Sequence, residues 1–231
     1  MCETQGEGHQ HRHLEVHRHA MEANDQVAAR LRRGFAARGI LVLNLISAPG
    51  SGKTALLERT LEQLRPLRVS VLVGDVETER DAERLRRCGV PVAQIVTAGT
   101  CHLEAGMVES HLAEVDQREL DVLIVENVGN LVCPSGFDLG EDLKVVLVST
   151  TEGEDKPLKY PAIFHRAELA LVTKADLAPH LDFDREELLR NIQAVHPGME
   201  VLEVSAKTGL GLDLWLDWIR AKVEEKQSLH V

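Results

Sequence analysis

The 231-residue chain is 44% hydrophobic, 27% charged and only 3% aromatic, so an aliphatic core is expected, large enough to need no disulfide framework. Its formal charge of −11 argues against a nucleic-acid or anionic-membrane partner, since both want a basic patch. No run approaches the ~18 apolar residues of a membrane span, and the opening residues lack the apolar stretch of a signal peptide, so the reducing cytoplasm is the expected compartment and Cys2, Cys88, Cys101 and Cys133 are expected as thiols.

In chain order, residues 1–19 come first. They hold His9, His11, His13, His17 and His19 with almost no apolar content, and read as a flexible extension. A single globular domain is expected over 20–231. Met21, Val27, Leu31 and Phe35 recur at helical spacing and predict a helix over 20–38. Strands and helices then alternate. Short apolar runs predict strands at 40–46, 69–73, 91–96, 122–125, 145–148, 169–172 and 201–204. Helices are expected near 53–64, 78–87, 103–112, 185–195 and 212–226. The alternation implies an α/β fold, a mostly parallel sheet with helices on both faces.

The first strand runs into Ser47-Ala48-Pro49-Gly50-Ser51-Gly52-Lys53-Thr54, which opens a helix. That is the context of a phosphate loop. The strict pattern carries Gly where this chain has Ser47, but Gly50, Ser51, Gly52, Lys53 and Thr54 are in place. Glycines let backbone N–H groups close around phosphates, and the helix N-terminus adds partial positive charge. Lys53 is expected on the β- and γ-phosphates and the Thr54 hydroxyl on Mg²⁺. Asp75 and Glu126 close two strands, so their carboxylates point into the ligand crevice and can hold Mg²⁺ or orient the attacking water. Glu126-Asn127-Val128-Gly129 resembles a Glu variant of the Asp-x-x-Gly switch, in which the Gly129 amide would sense the γ-phosphate.

Two later segments favour guanine. Thr173-Lys174-Ala175-Asp176 resembles the Asn-Lys-x-Asp element of GTPases, where Asp176 would accept from the guanine N1–H and amino group and the Lys174 stem would lie along the base. Ser205-Ala206-Lys207 resembles the companion Ser-Ala-Lys element. Together, in order and each after a strand, they point to GTP/GDP. No arginine finger is evident, so turnover is expected to be slow by roughly 10³–10⁵.

Cys101-His102 precedes a helix and Cys133 follows the switch. Thiolate and imidazole suit Ni²⁺ and Zn²⁺. Spacing alone leaves two readings open: a metal site that is open or completed across a two-fold axis, or small half-buried cysteines. Cys133 lies close beyond Gly129, so metal grip and nucleotide state would be coupled. Cys88 reads as core. The interrupted histidine cluster is a second candidate site, for several Ni²⁺ or Zn²⁺ ions in variable geometry.

These segments, with Ala23-Asn24-Asp25-Gln26-Val27-Ala28, Gly74-Asp75-Val76-Glu77-Thr78 and the stretch 151–161, resemble the HypB family over about 20–219. The resemblance implies a GTP-dependent homodimer with Cys101, His102 and Cys133 at a subunit-interface metal site. It also implies work beside a HypA-type metallochaperone, delivering nickel to a [NiFe]-hydrogenase large-subunit precursor. Some members carry a Cys-rich N-terminal nickel motif, whereas here Cys2 stands alone before the histidines. The urease-maturation relatives share the nucleotide logic but use a Cys-Pro-His motif that this chain lacks. A storage protein with a vestigial nucleotide site and an ATP-dependent kinase are the remaining alternatives.

Overall fold

The structure is a computed structural model and describes residues 6–76, 80–115 and 119–229. Seven strands form one all-parallel sheet: β1 (Leu41–Ser47), β2 (Val69–Asp75), β3 (Val92–Val96), β4 (Val122–Glu126), β5 (Leu143–Ser149), β6 (Leu169–Thr173) and β7 (Glu200–Glu203). Their order across the sheet is β3-β2-β4-β1-β5-β6-β7. The connecting helices are α2 (Lys53–Gln63), α3 (Arg80–Arg86), α4 (Ala105–His111), α5 (Cys133–Gly136), α6 (Lys156–Lys159), α7 (Pro161–Arg166), α8 (Arg185–Val195) and α9 (Leu212–Ser228). The helix expected over 20–38 is longer: α1 spans Gly6–Ala36. No proline stands before Pro49 to stop it, and Glu, Gln and Arg lose little freedom in a helix. Among the described residues no helix is long and apolar enough to cross a membrane.

Every residue of β1 is buried, as a central parallel strand requires. Its side chains alternate between the two faces of the sheet. Leu41, Leu43 and Leu45 pack with Leu57 of α2, Leu85 of α3 and Trp215 of α9. Val42 packs on the other face with Ala28, Leu31 and Phe35 of α1 and Val108 of α4. Ile46 joins Ile163 and Phe164 of α7 and Ile192 of α8, also on that second face. Between Val42 and Ile46 stands Asn44, fully buried and polar in an otherwise apolar run.

The strand order decides what meets at the carboxyl edge of the sheet. β4 lies between β1 and β2, and Glu126 pairs in register with Leu45 on one side and Val73 on the other. The loop after β1, Asp75 and Glu126 therefore converge where the connections leaving β1 and β4 run toward opposite edges of the sheet, the place where open α/β sheets bind ligands.

Asn24 ties α1 to this edge. Its Nδ2 donates to Asp138 O at 2.8 Å, and its Oδ1 accepts from Ala105 N at 2.8 Å. Ala105 opens α4, whose Glu104 N-cap provides no side-chain cap, so Asn24 caps the helix from another element. Asn24→Ala should leave this buried N–H unpaired and cost about 1–3 kcal/mol in urea unfolding. A variant as stable as the wild type would show the tie to be unimportant.

Candidate functional site

The loop after β1 turns back on glycine. Gly52 sits at φ 96°, a left-handed conformation that side-chain-bearing residues rarely adopt, and serves as the N-cap of α2 without a side-chain hydrogen bond. The open N–H groups of the first turn of α2 are thus free for an anion. Residues Pro49–Ala55 line a cavity of about 430 Å³ with Asp75, Asp81, Arg84, Glu126 and Gly129. Lys53 is buried and its Nζ donates to Ser47 Oγ at 2.7 Å. Ser51 Oγ also bonds Ser47 Oγ. Ser47, the departure from the strict phosphate-loop pattern, is therefore an internal clasp for the loop. Burial lowers the Lys53 pKa below its ordinary value, against the pull of Glu126, Asp81, Glu152 and Asp75. A polyphosphate would supply the missing counter-charge.

Glu126 is buried, and its Oε1 accepts from Thr54 Oγ1 at 2.7 Å. Its Oε2 is buried with no hydrogen-bond partner among the described residues. Burial pushes its carboxyl up to about 7, opposed by the Lys53 ammonium and the Thr54 hydroxyl. An orphaned carboxylate oxygen beside a hydroxyl, with Asp75 lining the same cavity, is a hard oxygen set of the kind Mg²⁺ takes. Gly129 lies against the loop: a Cβ there would sit 3.1 Å from Pro49 Cα, so the approach leaves little room for a side chain.

A second cavity of about 410 Å³ lies on the other side of the loop. Ser51, Gly52 and Ala55 line both. Thr173, Lys174, Asp176, Ala206 and Lys207 complete it. Lys174 is left-handed at φ 55°, and its Nζ reaches back to Gly50 O at 2.7 Å. Thr173 stands where the GTPase element carries Asn, and its hydroxyl donates to Ser51 O at 2.6 Å, so this position still ties the later loop to the phosphate loop. Ser205 Oγ donates to Asp176 Oδ1 at 2.5 Å and aligns that carboxylate. Two cavities joined at one glycine-rich turn give the outline of a nucleotide, triphosphate at one end and base at the other.

Cys101, His102 and Cys133 come together, each offering a ligand atom within 4.8 Å of the others. The two Sγ atoms lie 2.9 Å apart, beyond the ~2.05 Å of a disulfide. The neighbouring Cys101 holds the Cys133 thiol above its usual pKa. The His102 ring stacks on Phe137 at 3.9 Å between centroids, which fixes its plane. Asn130 fastens the two loops: its Nδ2 donates to Cys101 O at 3.3 Å and its Oδ1 accepts from Val132 N at 2.8 Å. Cys101 is exposed while His102 and Cys133 are half-buried, so the cluster opens to the surface on the Cys101 side. Two sulfurs and one imidazole are a soft set that fits Ni²⁺ or Zn²⁺ better than Mg²⁺. Cys88 is half-buried away from this cluster, against the core.

Residues 41–203 match the family described as CobW/HypB/UreG, nucleotide-binding domain. The hydrogenase maturation factor HypB of Azotobacter vinelandii is 52% identical over 213 residues, 91% of this chain and 70% of that protein. HypB of Escherichia coli K12 is 46% identical, over 92% of this chain and 74% of that one. The chain belongs to the HypB family. Among solved structures, HypB from Helicobacter pylori in complex with nickel superposes with a TM-score of 0.83 at 39% identity, covering 88% of this chain and 96% of that one. HypB from Archaeoglobus fulgidus gives 0.81 at 37% identity, over 87% and 99% of the two chains. A signal recognition particle protein from Aeropyrum pernix in complex with GDP, at 16% identity and a TM-score of 0.55, shares the P-loop NTPase fold alone.

Within this HypB-family chain, the expected accessory set is only partly visible. The side chains of His9, His11, His13 and His17 lie outside those described, and His19 is exposed, 3.5 Å from Glu22. Several side chains around the cavities carry no signal in the sequence. Asp81 and Arg84 of α3 line the phosphate end, yet in sequence they belong to an ordinary charged helix. Phe137 and Asn24 carry no spacing signal. Glu152 takes the Ser149 N–H at 3.0 Å and helps hold Lys53 charged from below; only the family likeness of 151–161 marked it.

Glu126 gives a pH signature. Its folded pKa lies above the ordinary ~4.3 of a glutamate, so burial of this group weakens the nucleotide-free fold progressively as pH rises from that value through about 7. Glu126→Gln keeps the acceptor for Thr54 without the charge. Unfolding of the nucleotide- and Mg²⁺-free proteins should show little difference at pH 4.5 and a variant more stable by roughly 3 kcal/mol at pH 8. A pH-independent gap would refute the buried charge.

Proposed function

We propose that the chain is a GTP-hydrolysing metallochaperone that binds Ni²⁺, and also Zn²⁺, and couples nucleotide state to nickel delivery into a [NiFe]-hydrogenase large-subunit precursor. The observation that carries this reading is a single short loop. It begins at Glu126 and Gly129, against the phosphate loop, and ends at Cys133 in the thiol–imidazole cluster.

GTP would lie with its triphosphate against Gly50, Ser51, Gly52, Lys53 and Thr54 and its base beside Lys174, Asp176 and the Ser205-Ala206-Lys207 turn. Lys53 and the α2 N–H groups balance charge as water attacks the γ-phosphorus and the bond to the β-phosphate oxygen breaks, giving GDP and phosphate. Mg²⁺, bound through Thr54 and Glu126 with Asp75 near, would neutralise phosphate charge. Asp75 holds its carboxylate in the cavity with Oδ1 accepting from Val76 N at 2.5 Å, a place from which it can orient water or a hydrated ion.

The cargo is a soft-ligand cation. Three donors, with Cys101 exposed and His102 and Cys133 half-buried, leave a coordination position for solvent or for a second copy, and Val132 beside them is 60% exposed, which favours a GTP-promoted homodimer with the cluster at its interface. The names of the relatives support work in hydrogenase maturation; a HypA-type metallochaperone as partner and the cytoplasm as compartment are part of the proposal. The extension 1–19, with His9, His11, His13, His17 and His19, would collect accessory Ni²⁺ or Zn²⁺.

Lys53→Ala should lower GTP turnover by about 10²–10³, the loss typical of removing one charge-stabilising donor. Cys101→Ala and Cys133→Ala should each abolish one equivalent of chelator-resistant Ni²⁺ while leaving GDP affinity near wild type. Unchanged hydrolysis in the lysine variant would support a storage protein, and ATP competing equally with GTP would support a kinase-like site; either result removes the reading.

A further inference from the structure

We propose that Asn127 is the positioning residue that transmits nucleotide state to the metal cluster, through one side-chain amide held between the switch, the Cys101–His102 loop and a buried polar anchor in the sheet. The inference rests on the reading above and adds its mechanism.

Asn127 follows Glu126 directly and is buried. Its own N–H donates to Leu45 O at 3.0 Å, extending the β1–β4 pairing by one step. The side-chain amide makes three bonds of the four it could make. Oδ1 accepts from Val128 N at 2.9 Å, inside the switch, and from Leu103 N at 3.3 Å, next to His102. Nδ2 donates to Asn44 Oδ1 at 3.2 Å. Asn44 Nδ2 donates in turn to Glu141 Oε1 at 3.1 Å, and Glu141 is fixed by Leu139 N at 2.6 Å and by the Lys144 ammonium. A polar residue in a buried strand costs stability unless it is fully partnered, and Asn44 is partnered by this chain.

The arrangement makes the amide a lever with one fixed end. Asn44 and Glu141 sit in the packed interior and cannot follow a loop. Any displacement of Glu126 or Gly129 by a bound phosphate must rotate Asn127 against that anchor. The contact to Leu103 is the longest of its three bonds and so the weakest. Leu103 also senses the other carboxylate strand: its side chain fills the space over Gly74, where a Cβ would lie 2.8 Å from Leu103 Cδ1. The residue after His102 thus touches the end of β2 through its side chain and the end of β4 through its N–H. The Asn130 bond to Cys101 O then carries the same shift to the Cys133 loop.

The test is a linkage measurement on the full chain. Ni²⁺ affinity is determined by competition with a chromophoric chelator, with GDP bound and with a non-hydrolysable GTP analogue bound. The reciprocal GDP and analogue affinities are measured with and without Ni²⁺, since both routes must give one factor. Wild type should show a ratio in the ordinary range of about 5–150-fold, and Asn127→Ala a ratio within about twofold of unity, whatever its separate affinities. A residue with a merely structural role would lower thermal stability and leave the ratio. Asn44→Ala, which frees the anchor but retains the Leu103 contact, should give an intermediate ratio and decides the matter if Asn127→Ala does not fold. Full wild-type coupling in the folded variants overturns the lever. A wild-type ratio of one overturns the coupled reading itself, and the lever with it.

Discussion

The buried carboxylate of Glu126 organises the carboxyl edge of the sheet. One of its oxygens is held by Thr54 and the other has no hydrogen-bond partner among the described residues. A protein interior tolerates such a group by shifting it toward its neutral form, as burial does to Glu126, or by supplying a charge to meet it. The strand order β2-β4-β1 puts that oxygen between the phosphate loop and Asp75, so the cost of burying it becomes a standing preference for a cation and a polyphosphate together. Lys53, itself driven toward neutrality by burial, is the complementary half of the same arrangement. Each is poorly satisfied alone, and a Mg²⁺–nucleotide pair would relieve both at once.

The proposed cargo site stands one loop away and would not compete with the proposed Mg²⁺ site. The edge cavity offers carboxylates and a hydroxyl, while the surface cluster offers two sulfurs and an imidazole. Ligand softness separates the two: Mg²⁺ prefers oxygen and dehydrates reluctantly, whereas thiolate and imidazole favour Ni²⁺ and Zn²⁺. This segregation would let the chain handle one metal as cargo while the other served the nucleotide, as proposed above. The outward aspect of Cys101 matters as much as its chemistry, because a cargo site must be reached by whatever gives and takes the ion.

Much of the architecture was legible in sequence because parallel strands buried on both faces read as plain apolar runs. All seven strands, and the five helices expected between 53 and 226, fall close to their expected places. The glycine-rich turn after β1 and the Lys174–Asp176 element were legible for a different reason: backbone conformation and base chemistry there admit few residue types. Asn24, Asn127 and Glu141 were not, because their work depends on partners distant in the chain, as with Asn24 reaching Ala105 and Asp138. Spacing carries no information about such contacts. Asn44 was the exception available to inspection, one amide in an aliphatic strand, and its meaning needed Glu141 and Asn127 beside it. The short helices α5, α6 and α7 escaped because each has at most six residues, too few for a period.

The phosphate end also bears on speed. Arg84 lines that cavity, and a free guanidinium there could stabilise the charge that develops on the transferred phosphoryl group. It is not free. Glu58 takes it in a fork, at 3.1 Å from Nε and 2.5 Å from Nη2, and Asp81 stands 3.6 Å from Nη1. The Glu58 carboxylate, chiefly by this hydrogen bonding, raises the Arg84 pKa and satisfies its charge. A cation already paired contributes little to a transition state, so among the described residues the cavity is lined by Lys53 and the helix N-terminus but by no uncommitted arginine. That pairing predicts slow hydrolysis for the proposed GTPase. A long-lived bound nucleotide would suit the proposed cycle, in which a metal ion is loaded at Cys101, His102 and Cys133 before the switch loop lets go.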